Sequence, residues 1–188
     1  MIIGLSGFAR SGKDTVADIL VENHGFVKMS FADPMRDALL RLNPLIQLRN
    51  GPSLPLAQAL RVYTWDELKS VSTDIRGLLQ RMGSEVGREM FGENLWVDYA
   101  IAHLPENTDV VFSDVRYKNE AKAILALKGR VWRIEREGIG AANEHASEND
   151  LNNFPFELTI DNNFPVEQLA LTIDTALDLN ILDILRSL

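Results

Sequence analysis

The sequence predicts an α/β fold: a parallel sheet of five short strands covered by helices on both faces. Three observations predict it. Brief apolar runs alternate along the chain with segments of helical period. The first run passes through a glycine-rich bend directly into a helix. The third run ends in a carboxylate, Asp114, at the carboxyl end of a strand, where open parallel sheets meet their ligands.

Ile2 to Ser6 is a buried strand leading into the bend. Residues 13–24 follow as a helix, with Val16, Ile19 and Leu20 at helical spacing and Gly25 as the stop. Val27 to Phe31 alternates as a second strand. Asp33-Pro34 opens a helix, the aspartate as N-cap and the proline in the first helical position. Residues 43–65 contain Pro44, Gly51, Pro52 and Pro55, show no clear period, and read as an irregular segment. Thr64 and Glu67 have capping-box spacing, so a helix restarts there. Residues 75–90 read as one helix with Ile75, Leu78, Leu79, Met82, Val86 and Met90 on a single apolar face, and residues 95–104 as another. Asp109 to Asp114 is the third strand, and residues 118–128 are an amphipathic helix closed by Gly129. Val131 to Ile134 is the fourth strand, residues 137–155 are loop-like, and Glu157 to Ile160 is the fifth strand. Pro165 opens a final helix that runs almost to Leu188.

A chain of 188 residues is one domain's worth, long enough to bury a core without a metal or disulfide staple. Cysteine is absent, which excludes a disulfide scaffold, a thiolate zinc site, an iron–sulfur cluster and a cysteine nucleophile. The net charge of −8 lies in the tail: residues 137–188 hold ten acids and Arg186 alone as a base, whereas residues 1–136 are nearly balanced. An acidic chain is a poor non-specific nucleic-acid binder, yet its first 136 residues keep enough bases for a small phosphorylated ligand. No run approaches the roughly 18 apolar residues of a membrane helix, and the start lacks a basic leader. The expectation is a cytoplasmic protein with no membrane and no nucleic-acid partner. The apolar stretch Ile181, Leu182, Ile184, Leu185 and Leu188 suits packing on the body or on a second copy, as in a homodimer.

Gly7-Phe8-Ala9-Arg10-Ser11-Gly12-Lys13-Asp14 matches the phosphate-loop pattern, G-x-x-x-x-G-K followed by Ser or Thr, at every position but the last. Glycines let the backbone bend so that successive N–H groups face one anion. The helix behind aims its positive end at the same place, and the lysine reaches the terminal phosphates. Asp14 stands where a magnesium-binding hydroxyl is usual. Its carboxylate is itself a hard oxygen ligand, Thr15 offers a hydroxyl next door, and the helix dipole alone would also favour an acid there. Asp114 has the place of a second acidic group near magnesium, and Arg116 that of a base reaching a phosphate; a plain strand-end turn is the alternative. Asp33 is either a cap alone or a group that also orients an acceptor.

At roughly 100° per residue, Arg76, Gln80, Gly83 and Gly87 form one stripe whose small residues admit a close neighbour. Arg81 and Arg88 lie on another stripe. Trp65, Trp96 and Trp132 read as core before base-stacking groups. No zincin, nucleophile-elbow or guanine-recognition motif is present.

With these residues in view, the chain resembles the deoxynucleoside monophosphate kinases of tailed bacteriophages, a branch of the P-loop nucleoside monophosphate kinases. The matching segments are Gly7–Thr15, Ser30–Leu39, Leu79–Arg88 with Trp96-Val97, Phe112–Ala121, Arg133–Arg136 and His145–Glu148. The D-V-R-x-x-N-E-A run with a later H-x-S-E is the more specific part, and the G-K-D-T ending is normal for the family.

The resemblance implies a three-layer P-loop kinase fold in one domain, with an acceptor-binding insertion over about 33–104 and a lid over about 137–155. It implies transfer of a phosphoryl group from ATP, with Mg2+, to a deoxynucleoside monophosphate in the host cytoplasm. Lys13 and the loop residues Gly7, Ala9, Arg10, Ser11 and Gly12 would hold the donor phosphates, with Asp14, Thr15 and Asp114 near the metal. Asp33, Arg36, Gln80, Arg88 and Trp96 would belong to the acceptor side, to which Arg76, Glu120 and His145 are added. Asp114 and Arg116 would sit between the nucleotides. Residues 137–155 contain no Lys or Arg, so a lid would borrow Arg133 or Arg136 from its entrance, or use His145. The catalytic set is then Lys13, Asp33, Asp114, Arg116 and Arg136. Two rivals remain: another small-molecule P-loop kinase, similar to dephospho-coenzyme A kinases, and a non-kinase protein that uses ATP as a switch.

Overall fold

The computed structural model describes residues 1–140 and 149–186, with side chains as far as residue 178. The chain divides into two compact units: Met1–Ser30 with Leu104–Leu188, and Phe31–His103. Among the described residues no helix is long and apolar enough to cross a membrane.

The first unit is built on a five-stranded sheet of β1 (Ile2–Ser6), β2 (Val27–Met29), β5 (Val110–Phe112), β6 (Arg130–Glu135) and β7 (Leu158–Asp161). The spatial order is β2-β5-β1-β6-β7, and every pair is parallel. The predicted five-stranded parallel sheet is therefore present. β1 is central, with Ile3 opposite both Val111 and Arg130, so its side chains are buried on both faces. On one face Ile3 and Leu5 pack with Val16, Ala17 and Leu20 of α1 (Lys13–His24) and with Leu169 and Ile173 of the last helix (Val166–Arg186). On the other face, the helix Lys118–Ala126 approaches so closely that a Cβ on Gly4 would meet Ile124 at 2.5 Å. Trp132 is fully buried in the first layer and is a core residue.

Most boundaries follow the predicted ones, and the departures have local causes. α1 ends as expected on Gly25, in the left-handed conformation at φ 72°. β2 stops at Met29, and Ser30 just beyond it donates its hydroxyl to Asp114. Gly129 is not the left-handed residue after its helix; Lys128 is, at φ 58°. Gly129 is needed for closeness instead, since a Cβ there would sit 2.8 Å from the Ile2 carbonyl oxygen. Of the expected lid, residues 141–148, including His145, lie outside the described residues. The apolar C-terminal side chains proposed for packing or dimerisation do so too.

The second unit packs Leu39, Ile46, Leu56, Ala59, Leu68 and Ile75 into its own core. Its helix α2 (Asp33–Leu42) starts one residue earlier than a cap reading of Asp33 requires. Ala32 is the N-cap, and Asp33 is the first helical residue, accepting from Arg36 at 3.0 Å. The stretch read as irregular contains a hairpin of β3 (Leu45–Gln47) and β4 (Ser53–Pro55), with Ile46 paired to Leu54, and a short helix, α3 (Leu56–Ala59). α4 (Trp65–Val71) carries the predicted capping box: Thr64 Oγ1 accepts from the Glu67 N–H, and Glu67 accepts from the Thr64 N–H.

The expected single helix over 75–90 changes winding. α5 (Ile75–Gln80) is α-helical, and Arg81–Met90 is a π-helix. Bonding from i to i+5 places more residues in each turn, so an apolar stripe drawn at α-helical pitch drifts. Ile75 is buried as predicted, while Val86 is 36% and Met90 71% exposed. α6 (Leu95–Ala102) completes the unit.

Two first-turn carboxylates of α4 make its stability pH-dependent. The Thr64 backbone and hydroxyl groups hold Glu67 below its ordinary pKa of 4.5. The Lys69 hydrogen bond holds Asp66 below 3.8 against desolvation, helped by the charges of Lys69, Arg36 and Arg76. A depressed folded-state pKa contributes stability above the unfolded value, and that contribution is lost as pH falls through the folded value. The urea midpoint is expected to drop below about pH 4.5, and Thr64→Ala to flatten part of the drop; an unchanged pH slope in Thr64→Ala would contradict the role given to the cap.

Candidate active site

The bend between β1 and α1 has three residues in conformations that L side chains rarely adopt: Gly7 at φ 150°, Arg10 at 68° and Gly12 at 100°. Glycine is required twice. A Cβ on Gly7 would strike the Ile134 carbonyl and the Ser11 hydroxyl, and one on Gly12 would strike the Asn162 side chain. The Ser11 N–H donates to the Phe8 carbonyl at 3.1 Å and closes a tight turn. The Gly12 carbonyl accepts from Val16, so α1 begins with no side-chain cap over its first N–H groups.

Lys13 folds back over this bend. Its Nζ donates to the Gly7 carbonyl at 2.8 Å and to the Phe8 carbonyl at 2.7 Å, and the residue is only 8% exposed. The ammonium is thus held inside the bend, where its charge adds to the positive end of α1. The Ser11 hydroxyl is buried and has no partner among the described residues. A buried hydroxyl in that state is destabilising until an acceptor arrives. These features fit an incoming phosphate.

The neighbouring strand ends bring further groups to the same edge of the sheet. The Ser113 N–H bonds to Met29 at 3.1 Å and the Val115 N–H to Leu5 at 3.0 Å, fixing Asp114 between the ends of β2 and β1. Ser30 Oγ donates to Asp114 Oδ2 at 2.5 Å. Glu120 is buried, and its Oε2 accepts from the N–H groups of Arg116 at 2.7 Å and Tyr117 at 3.0 Å. This residue, expected to touch the acceptor, braces the turn that carries Asp114 and Arg116.

On the other side of β1, Arg133 is buried, its guanidinium 4.6 Å from the Phe8 ring and 5.5 Å from Phe156. Arg136 follows β6 and lines a cleft of about 420 Å³ with Phe8, Ser11, Glu135, Glu137, Asp161 and Asn163.

The metal candidates sit differently. Asp14 Oδ1 lies 3.0 Å from Lys28 Nζ, which meets Asp18 at the same distance. Desolvation lowers the Lys28 pKa, but the hydrogen bonds of Asp18 and Asp14 outweigh it, and the ammonium titrates above its ordinary 10.5. Thr15 is exposed in the first turn of α1. Among the described residues no three carboxylates or imidazoles form a ready metal cage. Magnesium commonly takes one or two protein ligands and completes its shell with substrate phosphates and water, so this sparse set suits it.

Within the second unit, Asp33, Arg36 and Arg76 fall in one neighbourhood. Arg36 pairs with Asp33 and lies 6.0 Å from the Trp65 ring, Arg76 Nε donates to the Lys69 carbonyl at 2.9 Å, and both arginines act on Asp66. The close neighbours anticipated for the small residues are now identified. Trp96 Nε1 donates to the Gly83 carbonyl at 2.9 Å, a Cβ on Gly87 would lie 2.5 Å from the indole carbons, and one on Gly83 would lie 2.9 Å from Met35 Sδ. Trp96 is therefore a packing partner of the π-helix that carries Arg88, whose guanidinium reaches the Glu93 carbonyl at 3.2 Å. Gln80 is the last residue before the change of winding.

Sequence reasoning gave no role to Lys28, Ser30, Asn162 or Asn163. Ser30 stood within a quoted segment; the others carry no motif, because what places them is strand pairing.

A strand, a bend closed on a lysine, and a carboxylate at the next strand end define a P-loop nucleotide-binding protein. The deoxynucleotide monophosphate kinase family model matches residues 1–59. A protein of Acanthamoeba polyphaga mimivirus, provisionally named a deoxynucleotide monophosphate kinase, is 30% identical over 187 residues, covering 95% of this chain and 96% of its own. The deoxynucleotide monophosphate kinase of Enterobacteria phage T4 is 53% identical over 38 residues, 20% of this chain and 16% of its own. Among solved structures, a shikimate kinase from Aquifex aeolicus aligns over 97% of this chain and 99% of its own, with a TM-score of 0.45 and 14% identity. The chain belongs to the deoxynucleotide monophosphate kinase family, and it is an enzyme, a nucleotide kinase.

The packing of Trp96 on Gly87 yields a direct test. Gly87→Ala is expected to destabilise the protein by about 1–3 kcal/mol through overpacking, read from urea unfolding; a change within experimental error would mean that the indole is not held there.

Proposed function

We propose that the protein transfers the γ-phosphoryl group of ATP to a deoxynucleoside monophosphate, giving ADP and the deoxynucleoside diphosphate. The observation that carries this reading is the Lys13 ammonium held inside the bend by the Gly7 and Phe8 carbonyls, beside a buried Ser11 hydroxyl that has no partner among the described residues. Family membership supports the acceptor class.

In this reading an oxygen of the acceptor's phosphate attacks the γ-phosphorus, and the bond to the β–γ bridging oxygen breaks. The protein's task is alignment and charge neutralisation. The loop residues Gly7, Ala9, Arg10 and Gly12 present their backbone to the donor phosphates and Ser11 its hydroxyl, and Lys13 moves from the carbonyls to the phosphate oxygens. Asp114 and Thr15 are the residues that would hold magnesium, with Asp14 sharing its charge with Lys28 through Oδ1. When bound, the metal would neutralise charge on the phosphate oxygens. Arg116, on a turn braced by Glu120, faces the transferring group, and Arg136 closes from the lid entrance. The acidic cleft beside Ser11 suits the amino and hydroxyl donors of a nucleoside better than phosphate. In the second unit, Asp33, Arg36, Arg76, Gln80 and Arg88 serve the acceptor, with Trp96 shaping the helix under Arg88. His145 is retained on the acceptor side by resemblance alone.

Release of ADP with a panel of nucleoside monophosphates tests the reaction. Rapid release with a deoxynucleoside monophosphate and little without acceptor is expected; release that ignores the acceptor would point to an ATP-driven switch, and response to a different small molecule to another P-loop kinase. Lys13→Ala should lower kcat by at least about 100-fold, the scale for losing one charge-stabilising group, with the thermal transition retained; near-normal turnover would remove Lys13 from the mechanism. Arg116→Ala should reduce transfer far more than thermal stability, and equal damage to both would make it a structural residue.

A further inference from the structure

Asn162 follows β7, and its backbone N–H donates to the Glu135 carbonyl at 2.8 Å, so the end of the sheet fixes its position. Its side-chain Nδ2 donates to the Ser11 carbonyl at 2.8 Å, across 151 positions of sequence. The same side chain fills the place a Cβ of Gly12 would take. The peptide between Ser11 and Gly12 is therefore gripped at its carbonyl and covered on one side of the following Cα.

A trans peptide is planar, with its C=O and N–H antiparallel. Turning the Ser11 carbonyl towards Asn162 turns the Gly12 N–H the opposite way, away from Asn162. Glycine by itself does not hold that choice, because its backbone populates positive and negative φ almost equally. The Ser11 N–H and hydroxyl do not hold it either: the first belongs to the Phe8 turn, and the second has no partner among the described residues.

We propose that Asn162 is a positioning residue for the phosphate loop: its amide fixes the Ser11–Gly12 peptide so that the Gly12 N–H is aimed at the donor's phosphates before they arrive. The inference rests on the reading of the bend as the ATP site. It adds a residue that no motif marks. The adjacent Asn163 accepts from the Glu137 N–H at 2.8 Å, so one short turn after β7 anchors both the bend and the start of the segment after β6.

The alternative is that Asn162 only fills space beneath Gly12, and binding of Mg·ATP to the intact protein, measured by calorimetry, separates the two. Asn162→Leu keeps the size and removes the donor without adding charge. It is expected to bind Mg·ATP at least about tenfold more weakly, the scale of one lost hydrogen bond, with its thermal transition near that of the wild type. Affinity within twofold of wild type would overturn the proposal. Should Asn162→Leu fail to fold, Asn162→Ala is read by the Gly12 amide resonance on saturation with Mg·ATP: a smaller ligand-induced shift than in wild type supports the proposal, and an identical shift overturns it. Because the readout is binding, a wild type that takes up Mg·ATP but phosphorylates no nucleoside monophosphate removes the proposed reaction and still lets the variant ratio decide. A wild type that does not bind Mg·ATP overturns both.

Discussion

The bend after β1 is the constraint on which the rest of the first unit depends. Its backbone takes left-handed conformations at Arg10 and Gly12 and an unusual one at Gly7, and both glycines are hemmed in by groups packed against them. The Ile134 carbonyl and the Ser11 hydroxyl leave no room for a side chain on Gly7, and Asn162 leaves none on Gly12. Lys13 then links the end of the bend to its beginning through two carbonyls. A backbone in sparsely populated regions persists only when its surroundings over-determine it, and such sites cluster where pre-organisation serves function. Here the surroundings are β6, β7 and α1, so the cradle is a property of the sheet as much as of the eight-residue motif.

The parallel sheet explains why so few groups suffice. With β1 central and every neighbour parallel, the segments following β1, β2, β5, β6 and β7 emerge at one edge. Lys13, Ser30, Asp114, Arg136 and Asn162 all lie on such segments, although residues 13 and 162 stand far apart in the chain. The backbone pairs that register β5 against β2 and β1 also place Asp114, and the Ser30 hydroxyl holds one oxygen of its carboxylate there.

What the sequence revealed depended on whether the determining interactions were local. The strand, bend and helix from Ile2 to His24 could be read because apolar spacing, two glycines and a terminal glycine act within one another's reach. The α4 cap was legible for the same reason. The β3–β4 hairpin was not: its three-residue strands, preceded by Pro44 and Pro52 and with Pro55 ending the second, are too short to show alternation, and each sends only its middle residue, Ile46 or Leu54, to the core. The π winding after Gln80 escaped because helical stripes assume one pitch. The indole of Trp96 against Gly83 and Gly87 becomes visible only when α6 is folded beside them. Asn162 was silent for a stronger reason: its two consequences, on the Ser11 carbonyl and on the Gly12 Cα, are made by pairing β6 with β7.

The carboxylates show how a motif match mixes two kinds of residue. Asp114 and Glu120 stand six positions apart in a segment read as one signature, yet they face different partners. Asp114 lies half-buried at the strand end with a serine hydroxyl on one oxygen. Glu120 is buried and directs Oε2 at two backbone N–H groups, an arrangement in which a charged acceptor makes stronger hydrogen bonds than a neutral one. Replacing it would free the turn without removing a group from solvent, whereas replacing Asp114 would remove the group itself. Asp14 is a third case: it occupies the motif's metal position, but its carboxylate is balanced by Lys28, so any role with a cation competes with an ion pair already formed. Spacing alone does not distinguish these three acids. The partner each carboxylate faces does.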